Sequence, residues 1–480
     1  MASLEELRAI RLAKLEILKK NGMEAYPVFV PRSLSLADAQ NNFDEHETSA
    51  KEISLTGRIK AIRGQGAIFF LVLDDGSATF QAVIKKDVLD PRLFELFNQT
   101  VDIGDIIGVT GTFFKTQRGE KSLQVASWVM ASKSLLPLPE KWHGLQDLDE
   151  KFRKRYLDFI MDSDVRDLFK KKALFWTATR RILNQADFLE VETPTLETTT
   201  GGAEANPFET YHNDYDMEVF LRISVGELWQ KRLMAGGFPR TFEIGRVYRN
   251  EGSSPEHTQE FTNIEFYASY MSFDEGVMFT EKLIKDVVQE SFDTLSFEKF
   301  DLSGTWKRID YVETVKKETG IDILSASEKD LEKKVKELGI SFDGTNRERL
   351  TDTLWKYCRK QISGPVWLMG HPKLVSPLAK SDPSNPEKTL RAQLILNGAE
   401  MANGYAELND PIEQRERFEQ QRKLIDKGDK EAMMPDYEYV EMLEHAMPPV
   451  CSFGWGERLF AALAGRPLRE TQMFPLMRPK

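Results

Sequence analysis

Arginines, carboxylates and aromatic residues are concentrated in one stretch of the chain, Phe242 to Tyr267, which reads FEIGRVYRNEGSSPEHTQEFTNIEFY. The alternation of apolar and polar residues predicts two antiparallel strands, and GSSPEH between them has the Gly, Ser and Pro that end regular structure. If the alternation holds, Arg246 and Arg249 lie on opposite faces, so only Arg249 is expected to share a pocket with Glu251. The stretch predicts a hairpin built around an anionic substrate, although periodicity alone leaves a solvated, charged hairpin equally open.

The same stretch resembles motif 2 of the class II aminoacyl-tRNA synthetases, in the form carried by lysyl-tRNA synthetases. The residues that carry the resemblance are Arg249, Asn250, Glu251, His257, Glu260, Phe261, Glu265, Phe266 and Tyr267. Further fragments similar to that family follow its order along nearly the whole chain: GRI at Gly57, HGLQDLDEKFRKRYLDFI from His143, FLEVETPTL from Phe188, TTGGAEANPF from Thr199, VSPLAK from Val375, NGYAELNDP from Asn403 and FPLMRP from Phe474. One such fragment is weak, whereas seven in sequence are specific.

The resemblance implies an ATP site. Activation of an amino acid brings a carboxylate onto the α-phosphate of ATP, and guanidinium groups offset the repulsion between these two anions. By resemblance, Arg249 bridges the two anions and Arg458 reaches the γ-phosphate, which makes both the predicted catalytic residues. A core Phe and an incidental loop His are the alternatives for Phe261 and His257. The predicted ATP-binding residues are Arg249, Glu251, His257, Phe261, Glu400 and Arg458.

A pocket for a cationic amino acid needs buried anions, and the resemblance assigns this role to glutamates. Glu265 and Tyr267 are two apart in a predicted strand and therefore share one face. Such a site rejects uncharged amino acids, because they would leave buried charge unpaired. The predicted lysine-binding residues are Gly202, Glu227, Glu265, Tyr267, Asn403, Tyr405 and Glu407.

The resemblance also implies Mg²⁺ as a cofactor, because metal ions neutralise the leaving pyrophosphate and prefer oxygen ligands. The predicted ligands are Glu400 and Gln393, the latter at a position where the family has an acid. Two further departures concern chain length. The segment RISVGELWQ has one residue more than the family pattern, near Val225 and Gly226, and CSFGWGERL has one residue fewer before Arg458.

Composition sets outer limits on function. The chain has 480 residues, of which 41% are hydrophobic and 29% charged, which is typical of globular proteins with two or three domains. No apolar run is long enough to span a membrane and the N-terminus is charged, so we expect no membrane association and a cytoplasmic location. A net charge of -11 argues against sequence-blind nucleic-acid binding. Cys358 and Cys451 are expected to be packed thiols.

The sequence predicts an α+β chain. Residues 1–50 form a helical extension with an amphipathic helix over 3–21, which Asn21-Gly22 ends. Residues 51–140 contain the β-rich runs of a five-stranded OB-fold barrel, a single-stranded nucleic-acid platform, although an SH3-like barrel has a similar strand count. Residues 141–165 form a linker, and residues 166–480 resemble the class II catalytic domain, an antiparallel sheet flanked by helices.

The OB-fold residues Arg63, Phe69, Gln81 and Glu120 align with anticodon-binding positions of the family. Stacking on Phe69 and edge contacts from Gln81 suit uridine-rich RNA, and the alternative for Phe69 is a place in the barrel core. The helix before FLEVETPTL resembles motif 1, which implies a homodimer with two-fold symmetry, although an ordinary packed helix has the same pattern.

These predictions converge on ATP-dependent ligation of L-lysine to tRNA(Lys) through a lysyl-adenylate. Three alternatives remain open. An aspartate or asparagine ligase shares the domain plan, a paralogue that lysylates a protein shares the catalytic domain, and a tRNA-binding paralogue with impaired catalysis would account for Gln393 and the shortened motif 3.

Overall fold

The computed structural model describes residues 3–64, 66–139, 147–203, 205–252, 254, 257–342, 344–429 and 432–479. The chain forms two compact units, Met1–Ser163 and Asp164–Lys480. The first residues of the predicted linker, 141–146, lie outside the described residues, and the bounds of the four predicted segments stay a prediction. Within the described ranges, no helix combines the length and apolar character that a membrane crossing requires.

The first unit is a closed five-stranded barrel with helices packed on it, which confirms the predicted OB-fold. Its strands follow the order β1-β2-β3-β5-β4 around the barrel. The strands are β1 (Ile53–Arg63), β2 (Ile68–Asp74), β3 (Thr79–Lys85), β4 (Ile106–Lys115) and β5 (Lys121–Ser132). The helices are α1 (Leu4–Lys20), α2 (Leu36–Asn41), α3 (Phe43–Ser49), α4 (Pro91–Thr100), α5 (Leu148–Arg153) and α6 (Arg155–Met161).

Helix α1 begins and ends where the sequence predicts. Ser3 and Glu6 form a reciprocal capping box at its start, and Asn21 caps its end. One face of α1 packs on the barrel core through Leu15 and Leu18. Arg11 donates hydrogen bonds to the carbonyl oxygens of Ser134 and Ile103, both at 3.0 Å. The helical extension is therefore part of the OB-fold unit.

The second unit is built on an eight-stranded sheet in the order β12-β13-β16-β17-β18-β11-β10-β6, which is antiparallel except at the β12–β13 and β10–β6 pairs. Its strands are β6 (Leu189–Glu190), β7 (Leu196–Glu197), β8 (Phe208–His212), β9 (Met217–Leu221), β10 (Arg240–Tyr248), β11 (Glu260–Ser269), β12 (Lys307–Asp310), β13 (Val366–Met369), β14 (Ser381–Asp382), β15 (Asn385–Thr389), β16 (Arg391–Leu396), β17 (Ala399–Ala406) and β18 (Val450–Gly456).

Helices of the second unit flank this sheet. They are α7 (Ser163–Gln185), α8 (Glu227–Ala235), α9 (Phe273–Phe292), α10 (Tyr311–Thr319), α11 (Glu328–Glu337), α12 (Arg347–Arg359), α13 (Pro411–Asp426), α14 (Tyr437–Glu444) and α15 (Glu457–Leu463), with short 3₁₀ turns at Lys373–Val375 and Leu468–Thr471. The largest core packs α7 and α9 against one sheet face, through residues such as Phe175, Val287, Phe266 and Phe453. The opposite sheet face is thereby left to line a site.

The predicted hairpin is confirmed. Strands β10 and β11 pair antiparallel from Arg240 opposite Ala268 to Tyr248 opposite Glu260. The two cysteines, Cys358 and Cys451, are buried and unbridged, as predicted.

Candidate active site

A cavity of about 410 Å³ opens over the sheet face away from α7 and α9. Its floor consists of rows of side chains from neighbouring strands, because residues two apart share a face. One row places Gln393, Asn403, Gly454 and Glu265 on adjacent strands. The next row places Arg391, Tyr405, Ser452 and Tyr267 in the same way.

The structure brings nearly all predicted catalytic-domain residues to this cavity. Those that line it are Gly202, Glu227, Arg249, Glu251, His257, Phe261, Glu265, Tyr267, Gln393, Glu400, Asn403, Tyr405 and Arg458. Glu407 does not line the cavity and lies behind Ser452, which does. Their individual roles in binding stay predictions, and the structure establishes that they share one site.

Arg249 and Arg458 line the cavity. Arg249 follows the end of β10, and its guanidinium lies over the Phe261 ring at 5.3 Å and donates to the Ile223 carbonyl oxygen at 3.3 Å. Burial lowers the pKa of Arg249, and nearby Arg458 adds to this, but arginine stays protonated. Arg246, as predicted, does not line the cavity and pairs with Glu260 at 2.9 Å. Two guanidinium groups, Arg249 and Arg458, are thus available to an anion.

Glu265 also lines the cavity. Its carboxylate accepts hydrogen bonds from the Val225 backbone N–H at 3.0 Å, Asn263 Nδ2 at 3.2 Å and Tyr267 Oη at 2.9 Å. Burial, reinforced by the nearby Glu227 carboxylate, raises the pKa of Glu265 to about 7. An arriving ammonium group would be the missing partner of this buried carboxylate.

A buried lysine, which the sequence did not single out, pairs with the two other glutamates. Lys231 Nζ lies 2.9 Å from Glu227 and 2.7 Å from Glu407, and Tyr405 Oη also donates to Glu227. Although burial acts to lower the pKa of Lys231, the two carboxylates hold it well above its ordinary value. The i,i+4 spacing of Glu227 and Lys231 on α8 was a visible signal for half of this network. Glu407, on another element, had no such signal.

The extra residue near Gly226 is absorbed in the turn before α8. Gly226 has a positive φ of 66°, and a Cβ atom there would lie 2.1 Å from Thr193 Oγ1. The turn aims the Val225 N–H at Glu265 and still starts α8 at Glu227. Gly202 also has a positive φ, of 87°, and a Cβ there would lie 2.5 Å from Glu227 Oε2. Gly226 is therefore required by its close packing against Thr193, and Gly202 by its close packing against Glu227.

The shortened motif 3 still brings Arg458 to the cavity. Strand β18 ends at Gly456 and α15 begins at Glu457, with no residue between them. Glycine is needed in this strand at Gly454, where a Cβ would lie 2.6 Å from the Ile264 carbonyl oxygen. Because Gly454 has no side chain, no atom projects from this strand into the cavity between Glu265 and Asn403.

Oxygen atoms suited to Mg²⁺ lie beside the two arginines. Gln393 Nε2 donates to Glu400 Oε2 at 2.9 Å, while its buried Oε1 has no hydrogen-bond partner among the described residues. An amide oxygen and a carboxylate are ligands that Mg²⁺ accepts. The pair fits a metal ion through these two oxygens, with less charge than two carboxylates.

The prediction that Phe69 stacks on bases is wrong. Phe69 is buried in the barrel core against the Phe94 and Phe97 rings, at 5.8 and 5.5 Å. Its neighbour Phe70 faces outward, because side chains alternate along β2, and it lies directly opposite Arg63 on β1. The two consecutive Phe residues in the sequence indicated that one ring faces outward. Only the register of β2 with its neighbours shows that this ring is Phe70.

The other predicted anticodon residues share the outward face with Phe70. Gln81 lies opposite Val72 on that face and donates to Ser122 Oγ at 2.8 Å. Ser122 in turn donates to the carbonyl oxygen of Glu120 at 3.1 Å, and the Glu120 side chain is exposed. Arg63 is exposed at the end of β1. The barrel therefore presents an aromatic ring, a cation, an amide and a carboxylate on one surface.

Comparison with known proteins agrees with both units. Residues 147–478 match the family described as tRNA synthetases class II (D, K and N), and residues 53–131 match the OB-fold nucleic acid binding domain. A curated lysine–tRNA ligase from Thermotoga maritima is 38% identical, over 99% of this chain and 97% of that protein. The chain belongs to the lysine–tRNA ligase family. Other relatives of that name, from Moorella thermoacetica and Halalkalibacterium halodurans, are 39% and 38% identical over 99% of this chain and 98% of theirs.

Proposed function

We propose that this protein joins L-lysine to tRNA(Lys) in two steps, through a lysyl-adenylate made from lysine and ATP. The observation that carries the proposal is one cavity that is lined both by Arg249 and Arg458 and by Glu227 and Glu265. A free amino acid with a carboxylate at one end and a cationic side chain at the other complements this arrangement. Family membership supports the same reaction.

In the first step, a carboxylate oxygen of lysine attacks the α-phosphorus of ATP, and the bond between the α-phosphorus and the bridging oxygen breaks to release pyrophosphate. We assign Arg249 to both anions and Arg458 to the outer phosphates, because both arginines line the cavity. Preorganised cations in a water-excluded site lower the cost of the charge that develops. The attacking carboxylate is already ionised, so no side chain need act as a base.

In the second step, a hydroxyl oxygen of the terminal ribose attacks the lysyl carbonyl carbon and AMP leaves. The phosphate of the adenylate can accept the hydroxyl proton, so the protein contributes positioning and charge neutralisation without a covalent intermediate. We assign adenine to the Phe261 ring and its amino group to Glu251. His257, whose Nδ1 lies 2.8 Å from Ser254 Oγ, is assigned to the γ-phosphate.

Lysine recognition is assigned to the glutamates that line the cavity. Glu265 and Glu227 would bind the two ammonium groups, with Tyr267, Asn403, Tyr405 and Gly202 forming the walls. Because Lys231 and Ser452 already occupy the Glu407 carboxylate, we assign Glu407 an indirect role, in fixing Lys231 and through it Glu227. An aspartate side chain in place of lysine would bring a third carboxylate against Glu227 and Glu265, which is strongly unfavourable.

We propose that Mg²⁺ accompanies ATP and is held by Glu400 and by the carbonyl oxygen of Gln393. When bound, the metal neutralises charge on the leaving pyrophosphate. The Gln393 amide group, through its hydrogen bond, also orients Glu400 toward this position.

We propose that the anticodon of tRNA(Lys) binds the outer barrel face formed by Arg63, Phe70, Gln81 and Glu120. Phe70 supplies the flat ring that base stacking needs, and it replaces Phe69 in this role.

We further propose a homodimer in the cytoplasm. Leu174 of α7, Leu189 of β6 and Leu196 of β7 are each at least 40% exposed, in the segment that resembles motif 1. A two-fold interface would cover these apolar side chains. Sedimentation of the purified chain tests the dimer, and a monomer at micromolar concentration would contradict it.

Amino-acid-dependent ATP–pyrophosphate exchange tests the function and separates it from its alternatives. We expect exchange with lysine and none with aspartate or asparagine, followed by transfer of lysine to tRNA(Lys). Exchange with aspartate or asparagine would instead identify the corresponding ligase. Binding of tRNA without any lysine-dependent exchange would identify a tRNA-binding paralogue with impaired catalysis.

The same assay addresses the protein-lysylating alternative. We expect tRNA aminoacylation to require the outer barrel face, so the full chain with Phe70→Ala should aminoacylate tRNA more slowly and keep its lysine-dependent exchange. Lysine transfer to a protein side chain, with no transfer to tRNA, would favour that alternative.

A further inference from the structure

The residue that precedes Arg458 is held from several sides. Glu457 is the first residue of α15 and its side chain is fully buried. Lys172 Nζ lies 2.5 Å from Glu457 Oε1, and the Gln472 amide donates to the other carboxylate oxygen. The Arg246 guanidinium is 3.9 Å from Oε1. A buried carboxylate with this many partners fixes the backbone at the start of α15.

Arg458 itself has no such support. Its guanidinium forms no hydrogen bond or ion pair with any residue in the part of the chain that the structure describes. It lines the cavity near Arg249, a like charge. Before an anion binds, the position of this side chain therefore depends on its backbone, and Glu457 holds that backbone.

The partners of Glu457 come from distant parts of the chain. Lys172 belongs to α7 and also donates to the Thr471 carbonyl oxygen at 2.8 Å, while Gln472 follows the 3₁₀ turn at Leu468–Thr471. Because Glu457 and Arg458 are the first two residues of α15, a shift of the Glu457 backbone would move Arg458 directly. The pair of Lys172 and Glu457 thus connects α7 and the C-terminal segment to Arg458 in the cavity.

We infer that Lys172 and Glu457 are a positioning pair for Arg458 and hence set the affinity for the phosphates of ATP. The inference rests on the proposed function only in naming ATP as the ligand. Neither residue lines the cavity, so removing either should weaken ATP binding through Arg458 and leave lysine binding unchanged.

The test compares Lys172→Met, Glu457→Gln and the double variant with the wild-type chain. Lys170→Met is the matched control, because Lys170 lies on the same helix, is exposed and pairs locally with Asp167 at 2.8 Å. ATP binding is measured directly by calorimetry with a non-hydrolysable analogue, and KM values for ATP and lysine are measured by exchange. Thermal unfolding monitors the fold of each variant.

We expect each single variant to weaken analogue binding and raise the KM for ATP by about tenfold, with lysine affinity in the absence of ATP within about twofold of wild type. The double variant should be no worse than the singles, because the two residues act as one unit. If Glu457→Gln does not fold, Gln472→Ala removes one neutral hydrogen bond and should raise the KM for ATP by about threefold. Lys170→Met should match wild type.

A folded Glu457→Gln variant that binds the analogue as tightly as wild type would overturn the inference. So would equal losses of ATP and lysine affinity, since these indicate general damage to the site. Absence of lysine-dependent exchange in the wild type would refute the proposed function instead, and the analogue-binding comparison would still decide the role of the pair.

Discussion

Lysine binding should depend on pH through Glu265. This carboxyl group is buried in the cavity, and its pKa is raised to about 7, first by burial and then by Glu227. Only the ionised form attracts an ammonium group, whose own pKa of about 10.4 keeps it charged near neutrality. Binding of lysine must therefore release any proton that Glu265 carries.

The expected size follows from the pKa. With a value of about 7, Glu265 is ionised in about one molecule in eleven at pH 6 and in about ten in eleven at pH 8. The dissociation constant for lysine should accordingly rise about tenfold between pH 8 and pH 6. Glu407, whose pKa burial also raises to about 7, can steepen the dependence, and the carboxyl groups then titrate as a set.

Calorimetry at pH 6, 7 and 8, in buffers of different ionisation enthalpy, measures both the affinity and the number of protons released. Glu265→Gln should bind lysine more weakly at pH 8 and should lose much of the pH dependence. Glu260→Gln is the matched control, because Glu260 lies on the same strand and outside the cavity. A wild-type dissociation constant that stays constant from pH 6 to 8, with no proton release, would refute the reasoning.

The same group predicts the pH dependence of stability without ligand. The pKa of Glu265 is higher in the folded protein, about 7, than the ordinary value of 4.5, so the folded state binds more protons between these values. The free energy of unfolding contributed by this group therefore falls as pH rises from about 4.5 to 7. Glu265→Gln should remove that fall in denaturant titrations, and an unchanged slope would contradict the assignment.

Two further predictions concern the barrel and the turn before α8. Phe70→Ala should weaken binding of the tRNA anticodon by about 1–3 kcal/mol in filter-binding assays, with little loss of stability. Phe69→Ala should instead lower the free energy of unfolding by about 3–5 kcal/mol, because it removes a ring from the barrel core. The reverse pattern would restore Phe69 as the stacking residue. Gly226→Ala should destabilise the fold by more than about 2 kcal/mol in urea and weaken lysine binding, because it adds a clash to the strain of a positive φ. Gly237→Ala, at a positive φ of 95° with open space around it, should show only the strain, and equal losses in the two variants would contradict the clash.

The site residues were predicted from the family resemblance, and many of them lie in loops or on helices. Periodicity added which residues of the hairpin strands share a face. Alternation along β10 and β11 correctly separated Arg246 from Arg249 and placed Glu265 and Tyr267 on one face. The five-stranded barrel followed from strand runs punctuated by turn residues in the same way. These are local patterns, and local patterns are what sequence periodicity records.

The errors and omissions arise from non-local pairing. Two consecutive Phe residues on a strand face opposite ways, so the choice between Phe69 and Phe70 depended on the pairing of β2 with its neighbours. The role of Lys231 required knowledge that Glu407, on a distant element, packs against α8. The extra residue near Gly226 was visible, but its accommodation by a positive φ against Thr193 was not.

Lysine-dependent ATP–pyrophosphate exchange by wild type and by Arg249→Ala tests the central claim most directly. Arg308→Ala is the control, because Arg308 is exposed and pairs with Asp274 at 2.5 Å outside the cavity. The predicted result is exchange that requires lysine in wild type and in Arg308→Ala, and a loss of at least about 100-fold in folded Arg249→Ala. Exchange by Arg249→Ala at the wild-type rate would contradict the assignment of this arginine to the reacting carboxylate and phosphate.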